Sequence, residues 1–524
     1  MRVTLVYRGR YWVRQALELE TLASVLRQGG HEVAFVYDPD VFGVSDNVLQ
    51  MPRLARWFSS MEQSVCRIHS TRPDAVFLSI LPGNYGWSRQ VAERLTQIAP
   101  RPIIGIGLHP SLVPERIMRD AFIHAVIQGE VENIVNPLLE ALRAGHGFQY
   151  VGNLWYRCEG RVVRTAAAAL VDLDSLPLPD KDLFGPHVSQ RASYAAMVSR
   201  GCPYHCAFCE ETCAGKIHGI GYYRRKCVDT VMAELVAGKS RYHFREVIFK
   251  DSYLSGDHAW LADLMRRFRR EIRVPFKCFC TVTSFDRQTA RLLKEGGCYS
   301  VEFGLQTWNS RIRREVLDRA ETNEQAERAF AACADERLWY DVDHMFNLPG
   351  ETEHDHVEGA HRYRGLRRLN RIKVHHLVYL PTAPIVRPGM DCGALPADAD
   401  ERLAHGVETD FYDASSLSRS ERETVAAYAA LYKLLPALPN VLFSWLMRNG
   451  RVQWLRRIPS PLVALLQGLI AIRSGDLRFL VYLGFYPAKV LRAVVSRLSR
   501  EGSSSLTQPR AVHSPVESSG VASA

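Results

Sequence analysis

Short apolar runs alternate with helical patterns along most of this chain. That alternation limits the fold to parallel sheets joined by crossover helices. In the first 150 residues the runs fall at 3–7, 31–37, 74–80, 102–108 and 121–129, with helical spacing over 16–28 and 133–143. A doubly wound α/β domain is predicted at 1–150. Ligands of such sheets lie beyond the carboxyl ends of the strands, which puts Ser79, Gly105, Gly107, His109, Gly129 and Glu130 at the candidate ligand edge. Residues 151–190, with prolines and little periodicity, read as a linker. Alternation resumes over 191–390, with runs at 195–199, 246–251, 276–282, 300–305, 340–346 and 373–380. Six strand–helix units are too few for a closed eight-fold barrel and suit an open, partial (β/α)6 barrel.

The remainder, 391–500, reads as an α-helical domain. Between 441 and 500 ten Lys and Arg residues face one acid, Asp476. Most of the chain's net charge of +10 therefore sits there, which weakens any reading of the whole chain as a nucleic-acid binder; no nucleic acid partner is expected. Trp445, Trp454, Phe479, Tyr482, Phe485 and Tyr486 are interleaved with those arginines. This pattern suits an anionic membrane surface or a lipid-like substrate, and equally a helical cap with solvated arginines. The Ser-rich segment 501–524 is expected to be disordered. The start carries no long apolar signal segment, and no run of about 18 apolar residues predicts a span. Location is expected to be cytoplasmic, with peripheral contact at the inner membrane surface through 441–500.

The densest chemistry is Cys202-Pro-Tyr-His-Cys206-Ala-Phe-Cys209, directly after a strand. Thiolates are the soft ligands of iron–sulfur clusters. Three can hold three corners of a 4Fe–4S cube and leave the fourth iron open. A closed zinc site needs four ligands; His205 or Cys213 would be the fourth, and a zinc-stabilised binding protein is the alternative of another class.

Around these residues SRGCPYHCAFCEE resembles the signature loop of radical S-adenosylmethionine (SAM) enzymes. VIFKDSYLS, the stretch from FKCFCTV to EFGLQTWNSRI, and HMFNLPGETEHD resemble later segments of the same barrel. The preceding domain, with GLHPS and QGEVE, resembles the Rossmann-like, cobalamin-binding-type domain found before many of these barrels. The resemblance implies that Cys202, Cys206 and Cys209 ligate the cluster and that SAM chelates its open iron. An external one-electron reductant drives cleavage of SAM, and the 5′-deoxyadenosyl radical takes a hydrogen from the substrate. Phe208, Asp251, Glu302 and Gln306 are carried over as SAM contacts, with a satisfied ion pair as the other reading of Asp251 and Glu302. No catalytic side chain is identified.

Cobalt is often held by His in an Asp-x-His-x-x-Gly loop after the first strand. Here that loop reads YRGRYWVRQ and contains no His. Related radical enzymes bind cobalamin without a protein His, so cobalamin is retained as a cofactor, with Ser79, Gly105, Gly107 and Gly129 as its contacts; small residues let a large ligand approach the backbone. The reading is a cobalamin-dependent C-methyltransferase of specialised or lipid metabolism. A cyclase or rearrangement enzyme with a vestigial cobalamin domain is the alternative. Cys278 and Cys280, two apart, share one face and read as core; Cys213, Cys298 and Cys333 read as packing. His344 and one of His375 and His376 are expected at the cavity.

Overall fold

The structure, a computed structural model, describes residues 1–9, 16–40, 61–219, 222–406 and 418–477, with scattered positions from 480 to 495. The tail 501–524, most of the loop after the first strand, and the aromatic positions Phe479, Tyr482, Phe485 and Tyr486 lie outside the described residues.

The N-terminal sheet contains β1 (Arg2–Arg8), β2 (Glu32–Asp38), β3 (Ala75–Ser79), β4 (Ile103–Ile106) and β5 (Ala125–Ile127). Its order is β2-β1-β3-β4-β5, all parallel. β3, β4 and β5 are buried throughout, which is why they appear in sequence as unbroken apolar runs rather than alternating ones. The linker departs from expectation. Its first part folds into a hairpin, β6 (Leu154–Cys158) and β7 (Arg161–Arg164), that pairs antiparallel with β5 and extends the sheet to seven strands. Glu159 and Gly160 both have positive φ, 49° and 77°, the twist a two-residue hairpin turn needs. The later part crosses to the barrel. There Lys181 is fully buried, pairing with Glu20 at 2.6 Å and donating to the Ala195 carbonyl at 2.7 Å.

The second sheet has six parallel strands in the order β15-β14-β13-β12-β11-β8. They are β8 (Tyr194–Ala196), β11 (Val247–Phe249), β12 (Phe276–Cys280), β13 (Cys298–Gln306), β14 (Trp339–Phe346) and β15 (Leu369–His376). A short antiparallel pair, β9 (Ser199–Arg200) and β10 (Arg224–Arg225), brackets the cysteine loop. Alternation along the barrel strands sorts two environments. Val301, Phe303, Leu305, Val342, Cys278 and Cys280 join the apolar core beneath the helices. Lys277, Glu302, Asp341, Arg371 and Lys373 form a connected ion-pair network in the interior. That network explains the displaced last strand, expected at 373–380. Arg371 and Lys373 point inward to acids and interrupt the apolar positions Leu369, Ile372 and Val374, so the start of the strand does not read as an apolar run.

His344 does not line the cavity. It is buried on the helix side, 3.1 Å from the Tyr363 hydroxyl and 4.7 Å ring to ring from Tyr432. His375 and His376 do separate, His375 reaching Asp343 at 3.3 Å and His376 lying near Phe346. The C-terminal helix Arg419–Leu434 begins at a Ser418–Glu421 capping box and buries Val425, Tyr428 and Tyr432 in the same core as the barrel.

Candidate active site

The three thiols are placed by backbone constraints on each side. Before them, Asp251 at the end of β11 accepts hydrogen bonds from the Val198 and Ser199 backbone and from the Ser199 hydroxyl, at 2.8, 2.6 and 2.6 Å. Gly201 then turns the chain at φ 81°, where a Cβ would lie 2.8 Å from the Tyr222 carbonyl oxygen. Within the loop, the Ala207 N–H donates to Leu317 and its carbonyl accepts from Ile385. The Cys209 N–H and the Thr212 hydroxyl both donate to the Cys206 carbonyl. After Cys209 the helix Glu210–His218 begins.

Cys202, Cys206 and Cys209 are all free and half-buried, screened by protein yet open on one side. Burial pushes the Cys202 thiol up to about 11 and raises Cys206 and Cys209 as well; ligation therefore has to displace protons. The donor set fits a 4Fe–4S cluster better than zinc. His205 is exposed, and Cys213 is buried in apolar packing with Ala207 and Leu348, so neither completes a tetrahedral site. Among the described residues no three His, Cys, Asp or Glu side chains converge as single-ion ligands; ligands to separate corners of a cube need not do so.

The expected SAM contacts divide. Gln306 ends β13 at a register shift, with φ 71° and its Oε1 buried without a hydrogen bond. An orphaned amide at the strand end is a polar group waiting for a partner. Phe208 lies half-buried between two ligands, packed against the core under the loop. Asp251 is engaged in holding the loop; burial raises it to about 6, although its hydrogen bonds favour the charged form. Glu302 is held by Lys277 and Lys373 and stays well below the usual carboxylate range, these cations outweighing burial. It frames the barrel interior.

Sequence reasoning missed Arg319. Its guanidinium is largely buried, donates to Cys206 Sγ at 3.6 Å, and also bonds the Gly304 carbonyl and Glu321. A lone Arg in a loop carries no spacing signal by which it can be found.

At the N-terminal sheet edge, Gly107 and Gly129 take left-handed φ of 98° and 89° and are joined through Ser111, whose hydroxyl donates to Gly107 O and accepts from Gly129 N. Ser79 lies beside Gly107. Gly105 sits differently, inside β4, where a Cβ would press on Val126 at 3.3 Å. His109, placed by sequence at this edge, is fully buried against Tyr85. Both glycines are close approaches within the protein: a Cβ at Gly107 would lie 3.1 Å from the Ile80 carbonyl oxygen, and this strand-end edge is where cobalamin would sit in such a sheet. This edge packs against the end of the helix that follows the cysteine loop: a Cβ at Gly129 would collide with the His218 ring, at 2.3 Å. Arg200 pairs with Glu130 and Glu132 across the domain junction, and Arg224 with Glu130.

The comparisons agree with this geometry. Residues 197–362 match the Radical SAM superfamily, and residues 13–139 match the B12 binding domain. The chain is 30% identical over 214 residues to an uncharacterized methyltransferase of Pyrococcus horikoshii, covering 39% of this chain and 45% of that protein; it spans less than half of that relative's length. The fold is similar to the cobalamin-dependent SAM radical enzyme OxsB, with TM-score 0.62, 14% identity, and coverage of 97% of this chain and 82% of OxsB. It is also similar to the radical SAM methyltransferase TsrM of Kitasatospora setae, with TM-score 0.58, 17% identity, and coverage of 75% and 77%. The chain thus carries a B12-binding domain followed by a Radical SAM superfamily domain.

Proposed function

We propose that this protein transfers a methyl group to carbon of a small-molecule substrate. The observation that carries this reading is the junction of the two domains: Arg200, just before the Cys202–Cys209 loop, pairs with Glu130 and Glu132 next to Gly129, and Arg224 pairs with Glu130. When bound, the cluster with SAM supplies a 5′-deoxyadenosyl radical and cobalamin supplies the methyl group. The chain's own residues place and shield these groups. Cys202, Cys206 and Cys209 are the cluster ligands, Gln306 and Phe208 serve SAM, and Ser79, Gly107 and Gly129 form the strand-end edge where cobalamin would bind. Gly105 serves the strand that carries this edge. Asp251 holds the ligand loop in register, and the Glu302 network keeps the barrel wall rigid and dry, so that a radical meets substrate before water. The P. horikoshii relative is named a methyltransferase, which supports the same reading.

The test is anaerobic reconstitution with iron, sulfide and cobalamin, followed by reductant, SAM and candidate substrates. Methyl transfer requires bound cobalt, reductant-dependent release of 5′-deoxyadenosine, and a product heavier by one CH2. Release of 5′-deoxyadenosine with a product of unchanged carbon count assigns the protein to cyclisation or rearrangement instead. Failure to take up iron, with the three thiols intact, removes the whole reading.

A further inference from the structure

Exposed apolar side chains are concentrated at one end of the molecule. Among the described residues, Val441, Leu442, Trp445, Trp454, Leu462, Leu465, Leu466, Leu469, Ile472 and Leu477 are all exposed, Val441 at 83% and Trp454 at 55%. Isolated exposed apolar residues need no explanation; a cluster of this kind does.

The helix Ser460–Ala471 shows how the surface is built. Val463 and Ile470 are buried against the barrel, and Gln467 donates to the Ile372 carbonyl of β15 at 2.8 Å. This inner stripe already satisfies the core. Leu462, Leu465, Leu466 and Leu469 follow at positions i, i+3, i+4 and i+7 on the opposite side, where they are 37–50% exposed. A helix apolar on both sides has a second partner. No single helix among the described residues is long and apolar enough to span a bilayer; Arg451–Arg457 and Leu462–Ser474 reach that length only together, as a pair bent by 101°, a shape that suits helices lying in an interface.

Charge identifies that partner. Arg448 and Arg457 are exposed, Arg451 stacks on Trp445 at 5.0 Å, Arg456 pairs with Glu423 of the neighbouring helix, and Arg473 bonds the Leu369 and Asn370 carbonyls. The only acid in 441–477, Asp476, is buried against Arg371. A second copy would bring the same arginines face to face, and a nucleic acid would leave the leucines in water. An apolar face with exposed Trp and a rim of Arg matches the interface of an anionic bilayer.

We infer that the 441–477 face docks on an anionic membrane surface, its leucines and Trp454 entering the interface and its arginines meeting lipid phosphates. This inference stands apart from the methyl-transfer reading, and its test uses no turnover. The full chain is floated with vesicles of phosphatidylcholine alone or mixed with phosphatidylglycerol, at low and high salt. Flotation is expected with the anionic vesicles and is expected to weaken with salt. The double variant Leu465→Glu, Leu469→Glu should bind about tenfold less or weaker still. Arg457→Glu should weaken binding only to the anionic vesicles. Unchanged melting temperature and iron uptake show that both variants are folded. The inference is overturned if the native chain ignores both vesicle types, or if it floats equally with both and the variants match it. It is also overturned if light scattering finds a dimer that the double variant dissolves while vesicles go unbound.

Discussion

Asp251 accepts the Ser199 backbone N–H at 2.6 Å, and this bond fixes where the cluster loop begins. The same carboxylate oxygen serves Val198 N and the Ser199 hydroxyl, so one buried side chain just past β11 sets the start of a loop that begins some fifty residues earlier. Replacing Asp251 by Ala leaves two backbone donors and a hydroxyl unpaired in the interior. The expected cost is about 3 kcal/mol, read as a lower melting temperature, together with a reduced iron content after reconstitution. Native-like iron loading in a destabilised variant would separate the loop's placement from its stability.

Arg200 joins the two domains through Glu130 and Glu132. Glu132 stays below the usual carboxylate range: burial alone would raise it, and the Arg200 guanidinium beside it reverses that. Arg200→Met strands a buried acid, with an expected loss of about 3 kcal/mol after allowing for partial exposure of the arginine. The variant should also release cobalamin more readily, measured by the cobalt retained after gel filtration. Unchanged retention would show that Arg224 alone holds the junction together.

Gln306 presents a buried amide oxygen with no hydrogen bond at the end of β13. Gln306→Ala should weaken SAM binding to the reconstituted protein by about tenfold, the worth of one lost hydrogen bond in a shielded site. Glu302→Gln, which loosens the Lys277 and Lys373 network, should lower the melting temperature while leaving SAM affinity nearly unchanged. The reverse pattern would move Glu302 into the SAM site.

His109 is buried, and burial lowers it from its ordinary value to about 4. In the unfolded chain it titrates near 6.5. Its folded form is therefore favoured above pH 6.5, and that contribution is lost as pH falls from 6.5 toward 4. The loss reaches about 3 kcal/mol at the lower limit. The melting temperature should fall across that interval, and His109→Phe should flatten the fall.

Much was legible before any coordinates. The Cys-x3-Cys-x2-Cys spacing is local, so three ligands within one loop are recorded directly in sequence. The parallel strands were visible because burial on both faces leaves continuous apolar runs, as in β3 and β4. The bare glycines at the sheet edge were visible for a related reason: Gly107 and Gly129 adopt conformations that side chains resist.

Other features depend on residues far apart in the chain. β15 was displaced because Arg371 and Lys373 are stabilised by acids on neighbouring strands, and a charge paired across a sheet is indistinguishable in sequence from one in water. Arg319 lies more than a hundred residues from Cys206, and only the return of the chain after β13 sets it beside that sulfur. His344 was expected at the cavity because strand parity alone does not say which face is the lumen. By itself the sequence determined the two sheets and the ligand loop, since backbone periodicity and short spacings act locally. Tertiary structure decided which charges are buried, which face of a strand is inside, and that Arg200 and Arg224 tie the two domains together through Glu130 and Glu132, because each depends on pairing between segments distant in the chain.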